Sequence, residues 1–208
     1  MTPKYRLVFF DVDSTLVTIE GIDILGAGNP EIARLTEAAM NGEVSLDDVY
    51  ARRLEMIRPT RDAIEALAQR YLDSIVPGGE EAIHALRDAG CIVHLVTAGI
   101  EQALVPLATK LGVALHAVRL HFSDTGEYHD FDRNSPLTRA RGKEIIVRDV
   151  RARTKGKAAF IGDGASDLEA KPAVGLFIGF GGVHMRPRVR ENADVFVTRL
   201  DDILPYLI

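Results

Sequence analysis

Leu7-Val8-Phe9-Phe10 is a continuous apolar run that stops abruptly at Asp11-Val12-Asp13-Ser14-Thr15. A short run without alternation reads as a strand buried on both faces, as in a parallel sheet. Similar runs recur at Cys91–Val96, at Ala158–Ile161, which ends in Gly162-Asp163-Gly164, at Leu176–Ile178 and at Val195–Val197. Helical spacing lies between them. Ile83 and Leu86 share a face ahead of Gly90. Leu104, Leu107, Ala108 and Leu111 recur at i, i+3, i+4 and i+7 before Gly112, and glycine is a common helix stop. Pro106 fits that helix only if it falls in the first turn. Strands alternating with helices predict an α/β fold, a doubly wound parallel sheet. His121 to Tyr128 places turn residues between β-formers and predicts a hairpin.

The segment from about Glu20 to Ser74 breaks the alternation, because it holds no strand-like run. Ile32 and Leu35 are spaced by three, Ser45-Leu46-Asp47-Asp48 resembles a capping box, and Ile64, Leu67, Ala68 and Tyr71 form an apolar stripe after Thr60. The expected division is an α/β core from residues 1–15 and 76–208, with a small helical cap at 16–75 inserted after the first strand.

Composition removes several classes of function. The chain has 208 residues, 25 basic and 30 acidic, for a net charge of −5. It therefore lacks the clustered basic face of a nucleic-acid binder. The stretch Arg186 to Arg190 is short and reads as a solvated segment or a helix end. Cys91 is the single cysteine, so no internal disulfide forms, as suits a reducing compartment. No apolar stretch is long enough to span a bilayer, and no leader-like apolar region opens the chain. The expectation is a cytoplasmic protein, monomeric or homodimeric, with no nucleic-acid or membrane partner.

The chemistry lies where the apolar runs end. In open α/β sheets ligands bind beyond the carboxyl ends of the strands. If the chain leaves the strand at Val12, Asp11 and Asp13 converge on one pocket. One can then attack phosphorus while the other moves a proton. Asp163 and Asp167, four residues apart, share a face if a helix opens there. Four carboxylates on one rim repel one another, and oxygen ligands of this kind select a hard divalent cation, Mg²⁺. Thr97-Ala98-Gly99 follows another strand and offers a hydroxyl and free N–H groups, a natural phosphate cradle at a helix start. Lys143, after Gly142, can neutralise a transferring phosphoryl group, although a single lysine is more often a surface charge.

Together these stations resemble the haloacid dehalogenase superfamily of aspartyl-phosphate phosphotransferases, and within it the phosphoserine phosphatases. The first motif has serine at position 14, where many relatives carry glycine. The resemblance continues through Glu20-Gly21-Ile22-Asp23, Ala39-Met40-Asn41-Gly42, Arg53-Leu54, Gly162 to Asp167 and Ile178 to Gly182. It implies that Asp11 is the nucleophile. It makes Asp13 the acid that protonates the leaving oxygen and later the base that activates water. Thr97 and Lys143 would hold the phosphoryl oxygens. Mg²⁺ would be bound by Asp11, the backbone carbonyl of Asp13 and Asp163, with Asp167 in support. In the cap, Glu20 would face the ammonium of a phosphoserine substrate, Arg53 its carboxylate, and Met40 its backbone. One departure stands out: the family usually has Ser-Gly-Gly where this chain has Thr97-Ala98-Gly99, and alanine restricts any φ > 0 conformation. The implied activity is hydrolysis of O-phospho-L-serine. The alternatives are a phosphatase or phosphotransferase of relaxed specificity, and a phospho-ligand-binding protein without catalysis.

Overall fold

A computed structural model describes residues 3–208. Chain order begins with β1 (Leu7–Phe10), then four helices, α1 (Gly21–Leu25), α2 (Pro30–Asn41), α3 (Leu46–Ile57) and α4 (Arg61–Asp73). Next come α5 (Gly79–Asp88), β2 (Ile92–Ile100), α6 (Glu101–Leu111), β3 (Ala114–Val118), β4 (Leu120–Phe122) and β5 (Tyr128–Phe131). The chain ends with α7 (Gly142–Arg153), β6 (Ala158–Gly162), α8 (Ala165–Leu168), β7 (Leu176–Phe180), α9 (Pro187–Asn192), β8 (Val195–Val197) and α10 (Leu204–Leu207).

Six strands form one parallel sheet in the order β3-β2-β1-β6-β7-β8. All four residues of β1 are fully buried, and stacked Phe9, Phe160 and Phe177 run across its centre. Helices therefore cover both faces, and the continuous apolar runs follow from that burial. The chain winds outward from β1 to β2 and β3, then returns to β6 and winds the other way. The β1/β6 boundary is the topological switch point, where such sheets open a crevice. Register puts the strand ends level there: Phe10 pairs with Leu95 on one side and Ile161 on the other. Asp11, Thr97 and Asp163 follow directly.

The expected hairpin forms, with β4 and β5 antiparallel. β3 lacks a warning in the sequence: Ala114–Val118 is a partly exposed edge strand with His116 at its centre, so it carries no apolar run. Two local expectations need correction. Pro106 lies in the second turn of α6, not the first; the buried stripe of Leu104, Leu107, Ala108 and Leu111 holds the helix around it. Ser45 caps α3 without a capping-box bond, because its hydroxyl donates to Asp47 Oδ2 instead. Asp47 Oδ2 also accepts from the Ala140 N–H at 2.7 Å, which ties α3 to the core.

The α1–α4 segment leaves and rejoins the core at one place, where Val17 and Ile75 form an isolated antiparallel bridge. Among the described residues, no helix is long and apolar enough to cross a membrane.

Candidate active site

Buried carboxylates meet at the switch point. Asp11, Asp163 and Asp167 each offer an oxygen within 4.8 Å of the others. At an effective dielectric of about 20, each pair at that separation repels by about 3–4 kcal/mol. The chain offsets part of this with two buried cations. Lys143 Nζ donates to Asp11 Oδ1 and to Asp167 Oδ1, both at 2.6 Å. Arg186 Nε donates to Asp163 Oδ2 at 3.3 Å, and Thr15 Oγ1 donates to Asp163 Oδ1 at 2.8 Å. The Gly164 N–H donates to Asp167 Oδ2 at 2.9 Å. Gly162 is required here, since a Cβ on it would collide with the Asp167 carboxylate.

The titration directions reflect the crowding. Burial pushes Asp11 well above the usual carboxylate range, and Asp167 pushes it further, against the pull of Lys143. Asp163 rises to about 7, first from burial and then from Asp167. For Lys143, burial alone favours the neutral amine, but Asp11 and Asp167 outweigh it and keep the ammonium protonated.

Asp13 faces the opposite wall. Its Oδ1 accepts from the Gly21 N–H and the Tyr71 hydroxyl, each at 2.8 Å. Its Oδ2 takes only a long 3.3 Å bond from Thr97 Oγ1. Burial raises its pKa, with the Gly21 bond pulling the other way. Its side chain stands outside the three-carboxylate group. Thr97 Oγ1 in turn accepts from the Gly99 N–H at 2.9 Å. A Cβ at Gly99 would approach Asp13 Oδ2 to 3.1 Å, which keeps that position small. The expected helix start at Thr97 is displaced: β2 continues to Ile100, with a register irregularity after Val96, and α6 begins at Glu101. Ala98 does not adopt a positive φ, so alanine fits there without backbone strain.

The α1–α4 segment supplies the far side of the cleft, which Glu20, Met40 and Arg53 all line together with Asp11, Asp13, Thr97, Ala98, Gly99 and Lys143. Glu20 caps α1 and accepts from Ser14 Oγ at 2.5 Å. Burial raises its pKa well above the normal value, and Asp13 adds to this. Arg53 is 6 % exposed, and its Nη1 donates to Thr36 Oγ1 at 3.1 Å. Thr36 itself donates to Asp23 Oδ1 at 2.6 Å. Arg53 Nε is buried with no partner among the described residues. A native buried donor left unpaired costs about 1–3 kcal/mol, so this one calls for an anion from a ligand. Met40 reaches over the phosphate side, its Cε 2.9 Å from where a Cβ on Gly164 would sit.

The sequence assigned no role to three residues at the site. Tyr71 reads as the last member of an apolar stripe, yet its hydroxyl holds Asp13. Thr15 lies inside the first motif but bonds 148 residues away. Arg186 belongs to the stretch expected to be solvated. Instead it is 5 % exposed, and beyond Asp163 its Nη1 donates to Glu37 Oε1 at 2.9 Å and Asn41 Oδ1 at 3.1 Å, both on α2. A short basic run gives no sign of which member turns inward.

Clustered carboxylates, a bridging lysine and a hydroxyl–glycine loop lie at the switch point of a doubly wound sheet, where an enzyme of this architecture places its active site. The profile of the haloacid dehalogenase-like hydrolases matches residues 5–175. The chain belongs to that family. It is 36 % identical to the phosphoserine phosphatase of Drosophila melanogaster, over 96 % of this chain and 77 % of that one. A solved phospho-aspartyl intermediate analogue of phosphoserine phosphatase superposes with a TM-score of 0.88 at 27 % identity, covering 99 % of this chain and 100 % of that one. A substrate-bound phosphoserine phosphatase complex gives 0.87 at 27 % identity, covering 99 % of both.

Proposed function

We propose that this chain is a Mg²⁺-dependent phosphatase that hydrolyses O-phospho-L-serine to L-serine and phosphate through a phosphorylated Asp11. The observation that carries the substrate is the pairing of opposite charges beyond the reactive carboxylates: Glu20 and Arg53, whose buried Nε has no partner among the described residues, line one cleft with Asp11. An α-amino acid presents the matching ammonium and carboxylate, and the planar guanidinium suits a carboxylate. Residues 16–75 act as the cap that closes over this substrate and limits water.

The three-carboxylate group fits a hard cation. Asp11, Asp163 and Asp167 crowd three carboxylates against Lys143 and Arg186, and a divalent ion would relieve their remaining repulsion. Asp11, Asp163 and Asp167 present side-chain oxygens that would hold it, and the backbone carbonyl of Asp13 would complete that set. Bound there, Mg²⁺ supplies positive charge to the phosphoryl oxygens and lowers the repulsion met by an attacking anion.

The chain's own groups divide the remaining work. Lys143 orients Asp11 through its bond to Oδ1 and opposes the rise that burial gives the Asp11 pKa. The free Asp11 oxygen attacks phosphorus. Asp13 gives a proton to the leaving serine oxygen from Oδ2, and burial, which raises its pKa, favours the proton-bearing form. Gly21 and Tyr71 fix Oδ1, so Oδ2 is the oxygen free to move a proton. Once ionised, Asp13 takes a proton from the water that attacks the aspartyl phosphate. Thr97 and the N–H groups beside it hold the phosphoryl oxygens.

The test is phosphate release across a panel of small phosphomonoesters, each with Mg²⁺ or with chelator. O-phospho-L-serine should give the highest kcat/KM, and chelation should remove turnover on every substrate. A different substrate leading by tenfold overturns the serine assignment, and full activity in chelator overturns the cation.

A further inference from the structure

Ser14 is anomalous in a way that the reaction steps leave unexplained. It is fully buried and sits at φ 56°, in the left-handed region. That conformation disfavours any side chain and is free to glycine. Ser14 touches none of the three clustered carboxylates. Its N–H closes the loop by donating to the Ile19 carbonyl at 3.1 Å, a bond that glycine would make equally well. What serine adds is its hydroxyl, which donates to Glu20 Oε1 at 2.5 Å. Among the described residues, Ser14 alone bonds the Glu20 carboxylate. Backbone strain of this kind clusters where it serves function.

We infer that Ser14 is a positioning residue for substrate selection, whose hydroxyl fixes Glu20 toward the ammonium of an α-amino phosphomonoester. This rests on the reading of Glu20 as the ammonium partner. Glu20 stands at the start of a five-residue helix and makes no capping bond of its own. Without the serine, its carboxylate can rotate away from the cleft and toward water. With it, one oxygen is held and the other is left for the ligand. Selection between substrates with and without an amino group then depends on a residue that contacts neither. Asp13, one residue before Ser14, moves the proton, so the same turn sets the chemistry and the choice of substrate.

The experiment compares the parent protein with Ser14→Ala, Ser14→Gly, Glu20→Gln and the Ser14→Ala/Glu20→Gln double variant. Each is assayed on O-phospho-L-serine and on 3-(phosphonooxy)propanoate, which keeps the carboxylate and lacks the ammonium. The readout is the ratio of kcat/KM for the two substrates. Both Ser14 variants should lower the ratio about tenfold, through KM rather than kcat, the size expected for one hydrogen bond to a charged group. Glu20→Gln should lower it further. The double variant should match Glu20→Gln, because the serine acts only through the glutamate. Ser14→Gly also relieves the left-handed strain, so its thermal midpoint should lie at or above that of Ser14→Ala, and it carries the comparison if the alanine variant folds poorly. A ratio lowered by Glu20→Gln but untouched by both Ser14 variants overturns the role of Ser14 and leaves the amino-acid reading standing. A ratio unchanged in every variant overturns both.

Discussion

On the core side of the cleft, Asp11, Asp163 and Asp167 lie within 4.8 Å of one another, fixed by strand ends and cross-linked by Lys143 and Arg186. On the α1–α4 side, Glu20 and Arg53 share no hydrogen bond, and each is held by a single buried hydroxyl, from Ser14 and Thr36. The core places like charges together and depends on counter-charge. The α1–α4 side places opposite charges along one cleft and depends on orientation. This difference matches the two tasks. Moving a phosphoryl group needs concentrated charge at one atom. Recognising an amino acid needs two separate charges with the correct spacing. The helices of an inserted segment can set such spacing without disturbing the sheet.

The sharpest way to break the comparison is to remove one charge from the core. Asp11→Asn keeps the shape, removes the nucleophile and relieves the repulsion from Asp163 and Asp167. Turnover of every phosphomonoester should fall by about 10⁴-fold or more, while the thermal midpoint stays level or rises. Phosphate release and thermal unfolding measured on the same preparation check both halves. Residual turnover within tenfold of the parent removes Asp11 from the reaction.

A charge removed from the cap should act selectively. Arg53→Ala should lower kcat/KM for O-phospho-L-serine by about 10²-fold, since a bidentate charged contact is worth several kcal/mol when its partner is left unpaired. A generic aryl phosphate, which has no carboxylate, should lose less than tenfold. Equal losses on the two substrates would show that the cap does not separate recognition from chemistry.

The two regions also differ in how much of them the sequence discloses. Each core station follows an apolar run that marks its strand, so Asp11, Thr97 and Asp163 can be placed on one rim from the chain alone. Asp167 follows from its spacing. The cap offers no such marker. Glu20, Met40 and Arg53 lie among helical residues with equally good structural readings, and only the family resemblance singles them out. Tyr71 and Arg186 escaped both routes, because a hydroxyl closing an apolar stripe and one arginine among several look ordinary until the chain folds, and Thr15, though inside the first motif, gave no sign of its bond to Asp163. β3 escaped for a related reason: an edge strand is not buried on both faces and need not be continuously apolar.

His94 and His116 give a third treatment of buried polar groups, on the same sheet but away from the cleft. They lie on β2 and β3, with Nδ1 and Nε2 3.1 Å apart, and His94 stacks on Phe9 with ring centroids 5.1 Å apart. Asp149 and Arg153 from α7 act on His116 with opposite signs. No counter-charge dominates, so the pair avoids charge rather than balancing it. Burial, aided by His116, lowers His94 to about 4. The unfolded chain therefore binds more protons between its unfolded value near 6.5 and about 4, and stability contributed by the neutral ring is lost as pH falls through that window. The raised carboxylates of the core act in the opposite direction over much of the same range, so the parent protein alone would blur the effect. His94→Phe retains the stack and removes the titration. The difference in unfolding free energy between the parent and His94→Phe should shrink or reverse in favour of phenylalanine as pH falls from 6.5 to 4, by on the order of 1 kcal/mol after solvent screening. Denaturant unfolding at four or five pH values measures it. A difference constant with pH would mean that the pair is already charged in the folded protein. The sheet would then tolerate unbalanced charge away from the cleft, and counter-charge would no longer distinguish the core from the cap.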